Sequence, residues 1–166
     1  MSCSLRPVAR AHRAQLERLV AATGLFRPAE VATAVELLDA SLDGDDDYRF
    51  VGAFEEDELV GYACWGPTPV TVGTVDLYWI VVDKERQGAG IGTQLLVHVE
   101  KTLTADGCRL IIVETSSRAD YEPTRGFYER RGYTRAASLP GYYAPGDDLV
   151  IYRKDLTHGV MARTAS

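Results

Sequence analysis

A glycine-rich segment in the middle of the chain is the strongest chemical signal in the sequence. An apolar run leads into a turn with glycines at alternate positions, and the turn opens a predicted helix; its core reads Asp83-Lys84-Glu85-Arg86-Gln87-Gly88-Ala89-Gly90-Ile91-Gly92-Thr93. Glycine lets the main chain approach a ligand closely and adopt positive φ. Backbone N–H groups at a helix start, together with the helix dipole, favour an anion. The segment predicts a phosphate or pyrophosphate site, with a tight turn that binds no ligand as the alternative.

The spacing of these glycines excludes the two most familiar nucleotide loops. No Gly-Lys-Ser/Thr follows, so the segment is not a P-loop. Gly88, Gly90 and Gly92 give G-x-G-x-G rather than G-x-G-x-x-G, and the segment follows a predicted hairpin instead of a first strand. The pattern alone therefore leaves the phosphate ligand open.

Two motifs in this order resemble those of the GNAT superfamily of N-acetyltransferases. The segment Gln87-Gly88-Ala89-Gly90-Ile91-Gly92 is similar to Q/R-x-x-G-x-G/A, the loop with which that family binds the pyrophosphate of acyl-CoA. The segment Gly126-Phe127-Tyr128-Glu129-Arg130-Arg131-Gly132-Tyr133 is similar to the family's F-Y-x-x-x-G-F/Y element. The resemblance covers about residues 3–155 and implies acetyl-CoA as co-substrate.

The resemblance also implies which residues hold the cofactor. The backbone at the end of strand 75–82 would bind pantetheine, where that strand splays from strand 109–115, and the loop amides would take the pyrophosphate. Arg86 is expected to contact a phosphate oxygen, with a solvated surface arginine as the alternative. The predicted cofactor-binding residues are Ile80, Val81, Val82, Arg86, Gln87, Gly88, Ala89, Gly90, Ile91, Gly92, Thr93, Ser116, Thr124 and Phe127.

The resemblance implies a general acid that protonates the departing thiolate and a base that accepts a proton from the amine. Tyr128 matches the family tyrosine near the thioester sulfur, and a phenol is protonated at neutral pH and can serve as general acid. The predicted base is Asp76, which matches the acidic base of the histone-acetyltransferase branch, or Glu114, or a water chain. The alternative for Tyr128, Asp76 and Glu114 is that each side chain has only a structural role. Tyr121 stands where the family often has Asn, so water positioning would pass to Ser116 or its neighbour.

Acidic and aromatic side chains fall in the regions that shape the acceptor site in this family. Such side chains suit a cationic amine through charge attraction and cation–π contact. The predicted acceptor-binding residues are Asp46, Tyr48, Trp65, Tyr78 and Tyr143. Two acidic loops, Asp43–Asp47 and Asp147–Asp148, are expected to face the acceptor, with solvated loops as the alternative.

The apolar periodicity predicts elements that can position these residues. Strands are expected near residues 4–8, 49–54, 59–65, 72–82, 109–115, 133–139 and 149–154, and helices over 9–23, from 28, over 90–103 and over 123–131. The order predicts an α/β (mixed α+β) fold with a central mixed, partly parallel sheet of about six or seven strands flanked by about four helices.

The composition of the chain limits the classes of protein to which it can belong. The chain has 166 residues, 46% of them apolar, and a formal net charge of −6, which argues for one globular domain over 1–166 and against nucleic-acid binding. The core is expected at about 3–155, with residues 156–166 as a flexible tail. No apolar run suits a membrane span or a secretory signal, so the expected location is cytoplasmic. Three scattered cysteines favour neither disulfides nor a metal site.

The predicted function is transfer of an acetyl group from acetyl-CoA to a primary amine of a small molecule or peptide. The amine would attack directly in a ternary complex, without a metal. The alternative is a non-catalytic module that binds acyl-CoA and acts through a protein partner. Analogy with the family also suggests a homodimer.

Overall fold

The computed structural model describes residues 3–156, so the predicted tail from residue 157 lies outside the described part. Its strands are β1 (Ser4–Arg6), β2 (Arg49–Glu55), β3 (Glu58–Pro67), β4 (Thr74–Val82), β5 (Leu110–Ser116), β6 (Thr134–Ala144) and β7 (Asp147–Asp155). Its α-helices are α1 (Arg13–Ala22), α2 (Pro28–Leu42), α3 (Ile91–Ala105) and α4 (Glu122–Glu129). Short 3₁₀ turns occupy Arg10–His12, Lys84–Arg86 and Ala119–Tyr121.

The strands form one mixed sheet in the order β1-β2-β3-β4-β5-β7-β6. Pairing is antiparallel for β1–β2, β2–β3, β5–β7 and β6–β7, and parallel for β4–β5. The predicted fold class, a partly parallel sheet of six or seven strands with four helices, is therefore confirmed for the described residues. Within them, no helix is long and apolar enough to cross a membrane.

The described residues divide into two compact units. The first comprises 3–67 and 78–102, and the second comprises 68–77 and 103–156. The expectation of a single domain stays a prediction.

The first unit is built on the β2–β3 hairpin and the helices α1, α2 and α3. Apolar side chains recur at helical spacing, so each helix buries one face. The buried residues of this unit's helices are Leu16, Leu19 and Val20 of α1, Ala34, Val35 and Leu38 of α2, and Ile91, Leu95, Leu96 and Val99 of α3. Pro28 occupies the start of α2, as predicted, because its fixed φ suits a first helical turn. Outside the core, Arg13 donates two hydrogen bonds to Asp39, at 2.8 and 2.9 Å, and so joins α1 to α2.

The second unit is built on β5, β6 and β7. Strand β7 pairs with all of β5, from Leu110 opposite Asp155 to Ser116 opposite Leu149. The start of β4 joins the same unit through a parallel register of Thr74, Val75 and Asp76 with the first residues of β5.

The last hairpin corrects two expectations. Strand β6 was predicted to end at residue 139 but continues to Ala144, and Asp147 and Asp148 begin β7 instead of forming an acidic loop. The two-residue turn between the strands is Pro145-Gly146, and Gly146 adopts a φ of 79°, as the second position of a type II turn requires after proline. Because β6 is the last strand in the sheet order, it also tolerates Pro140, whose nitrogen cannot donate.

Candidate active site

The glycine segment forms the predicted strand–turn–helix of the first unit. Strand β4 ends at Val82, and the carboxylate of Asp83 accepts a hydrogen bond from the amide of Glu85 at 2.9 Å, which caps the 3₁₀ turn. Gly88 and Gly90 each have a φ of 86°, a conformation that other residues rarely adopt. A Cβ atom placed on either glycine would meet no other atom of the described chain within 4 Å. The main chain of this turn is therefore open to a ligand.

The amides of this turn fit a pyrophosphate. The amide of Gln94 donates to the carbonyl oxygen of Gly90 at 3.0 Å, so the amides of Ile91 and Gly92 lie in the first turn of α3. First-turn amides have no partner within their own helix, and they sit at the positive end of its dipole. The donor set and the open space are those that the predicted pyrophosphate contact requires, and the contact itself stays a prediction.

Arg86 forms three ion pairs that the sequence did not predict. Its Nε donates to Glu55 at 2.7 Å, its Nη1 to Asp83 at 2.7 Å and its Nη2 to Glu58 at 2.9 Å. The hydrogen bond to Glu55 is the main reason that the pKa of Arg86 is raised above its ordinary value. Three of the five guanidinium N–H donors thus serve carboxylates, and the contact of Arg86 with a phosphate oxygen stays a prediction. The nearby Gln87 side chain donates to the carbonyl oxygen of Val82 at 3.3 Å.

Tyr128 lies in α4 of the second unit, with only 4% of its surface exposed. Its ring meets those of Phe127 and Tyr133 edge to face, with centroids 5.2 and 5.3 Å away. Burial raises the pKa of this phenol above its ordinary value, so Tyr128 stays protonated at neutral pH. Tyr128 is thus a core tyrosine whose hydroxyl is protonated, as a general acid requires, and its role as that acid stays a prediction.

The second unit brings the two candidate bases together. Asp76 stands opposite Ile112 in the parallel register. Glu114 follows Ile112 by two residues, so both carboxylates lie on the same face of the sheet. The Oγ1 hydroxyl of Thr68 donates to Oδ2 of Asp76 at 2.8 Å. Glu114 is exposed, yet partial desolvation of its carboxyl, and then the nearby charge of Asp76, raise its pKa above the ordinary value.

Tyr143 belongs to the same group of side chains. Burial first, and then the charge of Glu114, raise the pKa of Tyr143 to about 12. The predicted place of Tyr143 in the acceptor site stays a prediction. Thr68 was missed by the sequence analysis, because a threonine in a turn eight residues before Asp76 has no distinguishing pattern.

The Ser116 hydroxyl takes part in a buried hydrogen-bond network. Its hydroxyl donates to the carboxylate of Asp147 and accepts the amide of Arg118 at 3.1 Å. Asp147 is 6% exposed, so this carboxylate supports the turn after β5 and does not face an acceptor as expected. Arg125 donates to the carbonyl oxygens of Ser116 and Arg118 at 2.7 and 2.9 Å. Of the two other residues predicted beside the cofactor here, Thr124 lies half-buried in α4 and Phe127 lies under the guanidinium of Arg131, 3.8 Å from it.

The remaining predicted acceptor residues lie in the first unit. The rings of Tyr48 and Tyr78 meet with centroids 5.9 Å apart. Asp46, two residues before Tyr48 in the sequence, is exposed. Trp65, in contrast, is 3% exposed and packs in the core. The loop before Tyr48 lies directly on β3, because a Cβ on Gly66 would come 1.8 Å from the carbonyl oxygen of Asp47.

No group of three or more His, Cys, Asp or Glu residues within 3–156 is arranged to hold a metal ion.

Comparisons with known proteins point to one family. The sequence model of the acetyltransferase (GNAT) family matches residues 14–133. The crystal structure of a GNAT-family protein from Desulfovibrio desulfuricans is 44% identical and superposes with a TM-score of 0.89, covering 93% of this chain and 99% of that one. An aminoglycoside 6′-N-acetyltransferase in complex with coenzyme A shares the fold, with a TM-score of 0.74 and 20% identity, over 92% of this chain and 97% of that one.

Two curated proteins match part of the sequence. S-(2-succino)cysteine N-acetyltransferase of Bacillus subtilis (strain 168) is 30% identical over 57% of this chain and 56% of its own length. Blasticidin-S acetyltransferase of Streptomyces morookaense is 42% identical over 59% of this chain and 64% of its own length. The matches thus span less than two thirds of either relative.

Proposed function

The chain belongs to the GNAT acetyltransferase family, and from this membership we propose that it transfers the acetyl group of acetyl-CoA to a primary amine. The observation that carries the proposal is the turn between β4 and α3, whose open main chain and first-turn amides suit the pyrophosphate of the donor. The backbone of Ile80, Val81 and Val82 leads into this turn and would bind the pantetheine arm.

In the proposed reaction, the neutral amine attacks the carbonyl carbon of the thioester directly. The new C–N bond forms, the C–S bond breaks, and the sulfur leaves as a thiolate. Tyr128 gives its phenolic proton to that thiolate, so the products are an amide and a free thiol. A covalent route through Cys64 is disfavoured, because burial raises the pKa of this thiol and keeps it protonated.

An ammonium acceptor must lose one proton before the attack, and its nitrogen loses a second proton as the amide forms, which restores the phenol of Tyr128. We propose that Glu114 accepts the first proton, directly or through water, with Asp76 beside it. The raised pKa of Glu114 brings its basicity closer to that of the amine than an ordinary carboxylate would be. The Thr68 hydroxyl fixes the orientation of Asp76.

The acceptor we propose is a small molecule. The names of three related or structurally similar enzymes give small acceptors, which are S-(2-succino)cysteine, blasticidin S and an aminoglycoside. Tyr143, near Glu114, can offer its ring to a cationic amine, as can the Tyr48–Tyr78 pair of the first unit.

The test is release of free CoA thiol from acetyl-CoA in the presence of a panel of amines, amino acids, polyamines, aminoglycosides and peptides. We expect at least one small amine to raise the release above the rate without acceptor, with the amide product seen by mass spectrometry. Binding of acetyl-CoA without release for any acceptor would favour the non-catalytic alternative.

A further inference from the structure

The guanidinium of Arg86 sits within a group of three carboxylates that the proposed mechanism does not use. We call Arg86, Glu55, Glu58 and Asp83 the carboxylate clamp. The three bonds measure 2.7, 2.9 and 2.7 Å to Glu55, Glu58 and Asp83, and the Arg86 side chain is only 24% exposed. Glu55 and Asp83 are similarly sheltered, at 21% and 26%, whereas Glu58 is 59% exposed. Sheltered, charge-assisted hydrogen bonds hold their geometry better than exposed ion pairs do.

The clamp joins the glycine turn to the neighbouring hairpin. Glu55 is the last residue of β2 and Glu58 the first of β3, so both flank the hairpin turn. Arg86 ends the 3₁₀ turn and is followed directly by the glycine segment. A second tie runs in parallel, because the amide of Asp83 donates to the carbonyl oxygen of Val60 in β3 at 2.8 Å.

The charge of the clamp argues against attraction of an anion. Three carboxylates surround one guanidinium, so the clamp carries a net negative charge. Such a group, next to the proposed pyrophosphate contact, would repel the donor if charge were its contribution. What the clamp supplies is a fixed position for a turn whose glycines make its main chain unusually free.

We propose that the carboxylate clamp positions the glycine turn for the donor pyrophosphate, with Arg86 as a positioning residue and not a phosphate ligand. This inference rests on the proposed function, since it assumes that the turn binds CoA. The inference predicts that removing a carboxylate changes the affinity for CoA in the direction opposite to the one expected from charge alone. Removing a carboxylate takes away negative charge, yet it should weaken the binding of an anionic ligand.

The test compares Glu55→Gln with Asp57→Asn by calorimetric titration with CoA. Both substitutions remove one negative charge from the same hairpin region, and Asp57 is an exposed residue outside the clamp. We expect Glu55→Gln to raise the Kd for CoA about tenfold, the loss typical of one charge-assisted hydrogen bond, and Asp57→Asn to leave it within about twofold. An equal or lower Kd for Glu55→Gln would overturn the inference.

Two further measurements distinguish positioning of the glycine turn from a simple charge contact and from a general folding defect. Arg86→Lys keeps the charge but loses the planar fork, so we expect weaker CoA binding; an unchanged Kd would instead favour a simple charge contact and overturn the inference. S-acetylpantetheine lacks the pyrophosphate, so its kcat/KM should be the same in wild type and Glu55→Gln. An equal loss with both donors would mean a general folding defect and would also overturn it.

CoA binding by the wild-type protein distinguishes a failure of this inference from a failure of the proposed function. If wild type does not bind CoA, the proposed function fails. If wild type binds CoA and Glu55→Gln binds it equally well, only the clamp inference fails. Should Glu55→Gln unfold, the exposed Glu58→Gln gives the same comparison, with a smaller rise in Kd because that carboxylate is better solvated.

Discussion

Tyr128 is a buried residue that contributes to packing and that we propose as the general acid. Its ring packs edge to face between Phe127 and Tyr133, and burial raises the pKa of its phenol. The raised pKa keeps the phenol protonated at neutral pH, but it also makes proton transfer to a departing thiolate unfavourable, because the resulting phenolate is costly in this environment. The mechanism therefore requires that the phenol regain its proton quickly after the C–S bond breaks.

Replacement of this tyrosine is the direct test of the proposed acid. Tyr128→Phe keeps the ring and removes the hydroxyl, so we expect kcat to fall about 100-fold, a typical contribution of general acid catalysis, while the Kd for acetyl-CoA changes little. Tyr133→Phe, in the neighbouring ring, is the matched control and should keep kcat near the wild-type value. A wild-type kcat in Tyr128→Phe would remove this residue as the acid.

The pair formed by Asp76 and Glu114 predicts a particular pH dependence. A base must be deprotonated, so kcat/KM should fall as the pH drops through the pKa of Glu114. Since partial desolvation and the Asp76 charge raise that pKa, the acidic limb should lie above the ordinary glutamate value of about 4.3. Asp76→Asn removes the like charge, which lowers the pKa of Glu114 and shifts the limb to lower pH.

Glu114→Gln provides the control for the pH profile. It should abolish the acidic limb and lower kcat/KM at neutral pH. If the limb persists unchanged in Glu114→Gln, another group accepts the proton; if it disappears in Asp76→Asn instead, Asp76 is that group.

At the scale of elements, the position of the loop before β2 depends on one glycine of β3. Gly66 has no side chain, and this absence lets the carbonyl of Asp47 lie against the strand beside the ring of Tyr78. The loop carries Asp46 and leads into Tyr48, two of the predicted acceptor residues. A close backbone approach on β3 therefore places part of the candidate acceptor region of the first unit.

Two glycine-to-alanine substitutions with opposite expected signs test this packing. In Gly66→Ala the new Cβ would lie 1.8 Å from a backbone oxygen, so we expect the free energy of unfolding to fall by at least about 2 kcal/mol. In Gly126→Ala the nearest atom is the flexible Nη1 of Arg130 at 2.9 Å, so alanine should be neutral or stabilise helix α4 by up to about 1 kcal/mol. Urea unfolding measures both; equal losses would contradict the packing described for Gly66.

The sequence predicted the elements better than their ends. Helical spacing of apolar residues and the position of Pro28 were sufficient for α2, and the turn between β2 and β3 was predicted within a residue. The extension of β6 through Pro140 and Gly141 was missed, since both residues usually end a strand. Only the position of β6 at the sheet edge, a tertiary fact, makes them acceptable there.

In the candidate site, too, the sequence predicts features formed by consecutive residues but not contacts between distant ones. The glycine turn was predictable because its signal lies within a few consecutive residues. The clamp was not, because Glu55 and Glu58 lie about 30 residues before Arg86 in the sequence and only the fold brings them together. For the same reason Asp147 was expected to face an acceptor, whereas its partner Ser116 is 31 residues away and both are buried.

At the scale of the whole molecule, the net charge of −6 has to be reconciled with a highly anionic donor. The proposed contacts are neutral amides in a helix first turn, and the nearby arginine is neutralised by carboxylates. Binding through such groups does not depend on a basic surface. Many acidic side chains also have local partners, as Asp43 does in its 2.8 Å bond with Arg10.

Salt dependence of donor binding checks this view. Between about 0.01 M and 0.15 M salt the Debye length falls from about 30 Å to about 8 Å, which would weaken a site built on exposed cations. We expect the Kd for acetyl-CoA to change by less than about threefold over this range, since the donors are short-range amides. A steep rise in Kd with salt would show that basic side chains carry the binding.

The central claim is that this chain uses acetyl-CoA, and calorimetric titration of the wild-type protein tests it most directly. The account predicts binding of acetyl-CoA and of CoA with micromolar Kd at a single site per chain, and no comparable binding of ATP, whose triphosphate lacks the pantetheine arm. Absence of acetyl-CoA binding at micromolar concentrations, or equal binding of ATP, would contradict it.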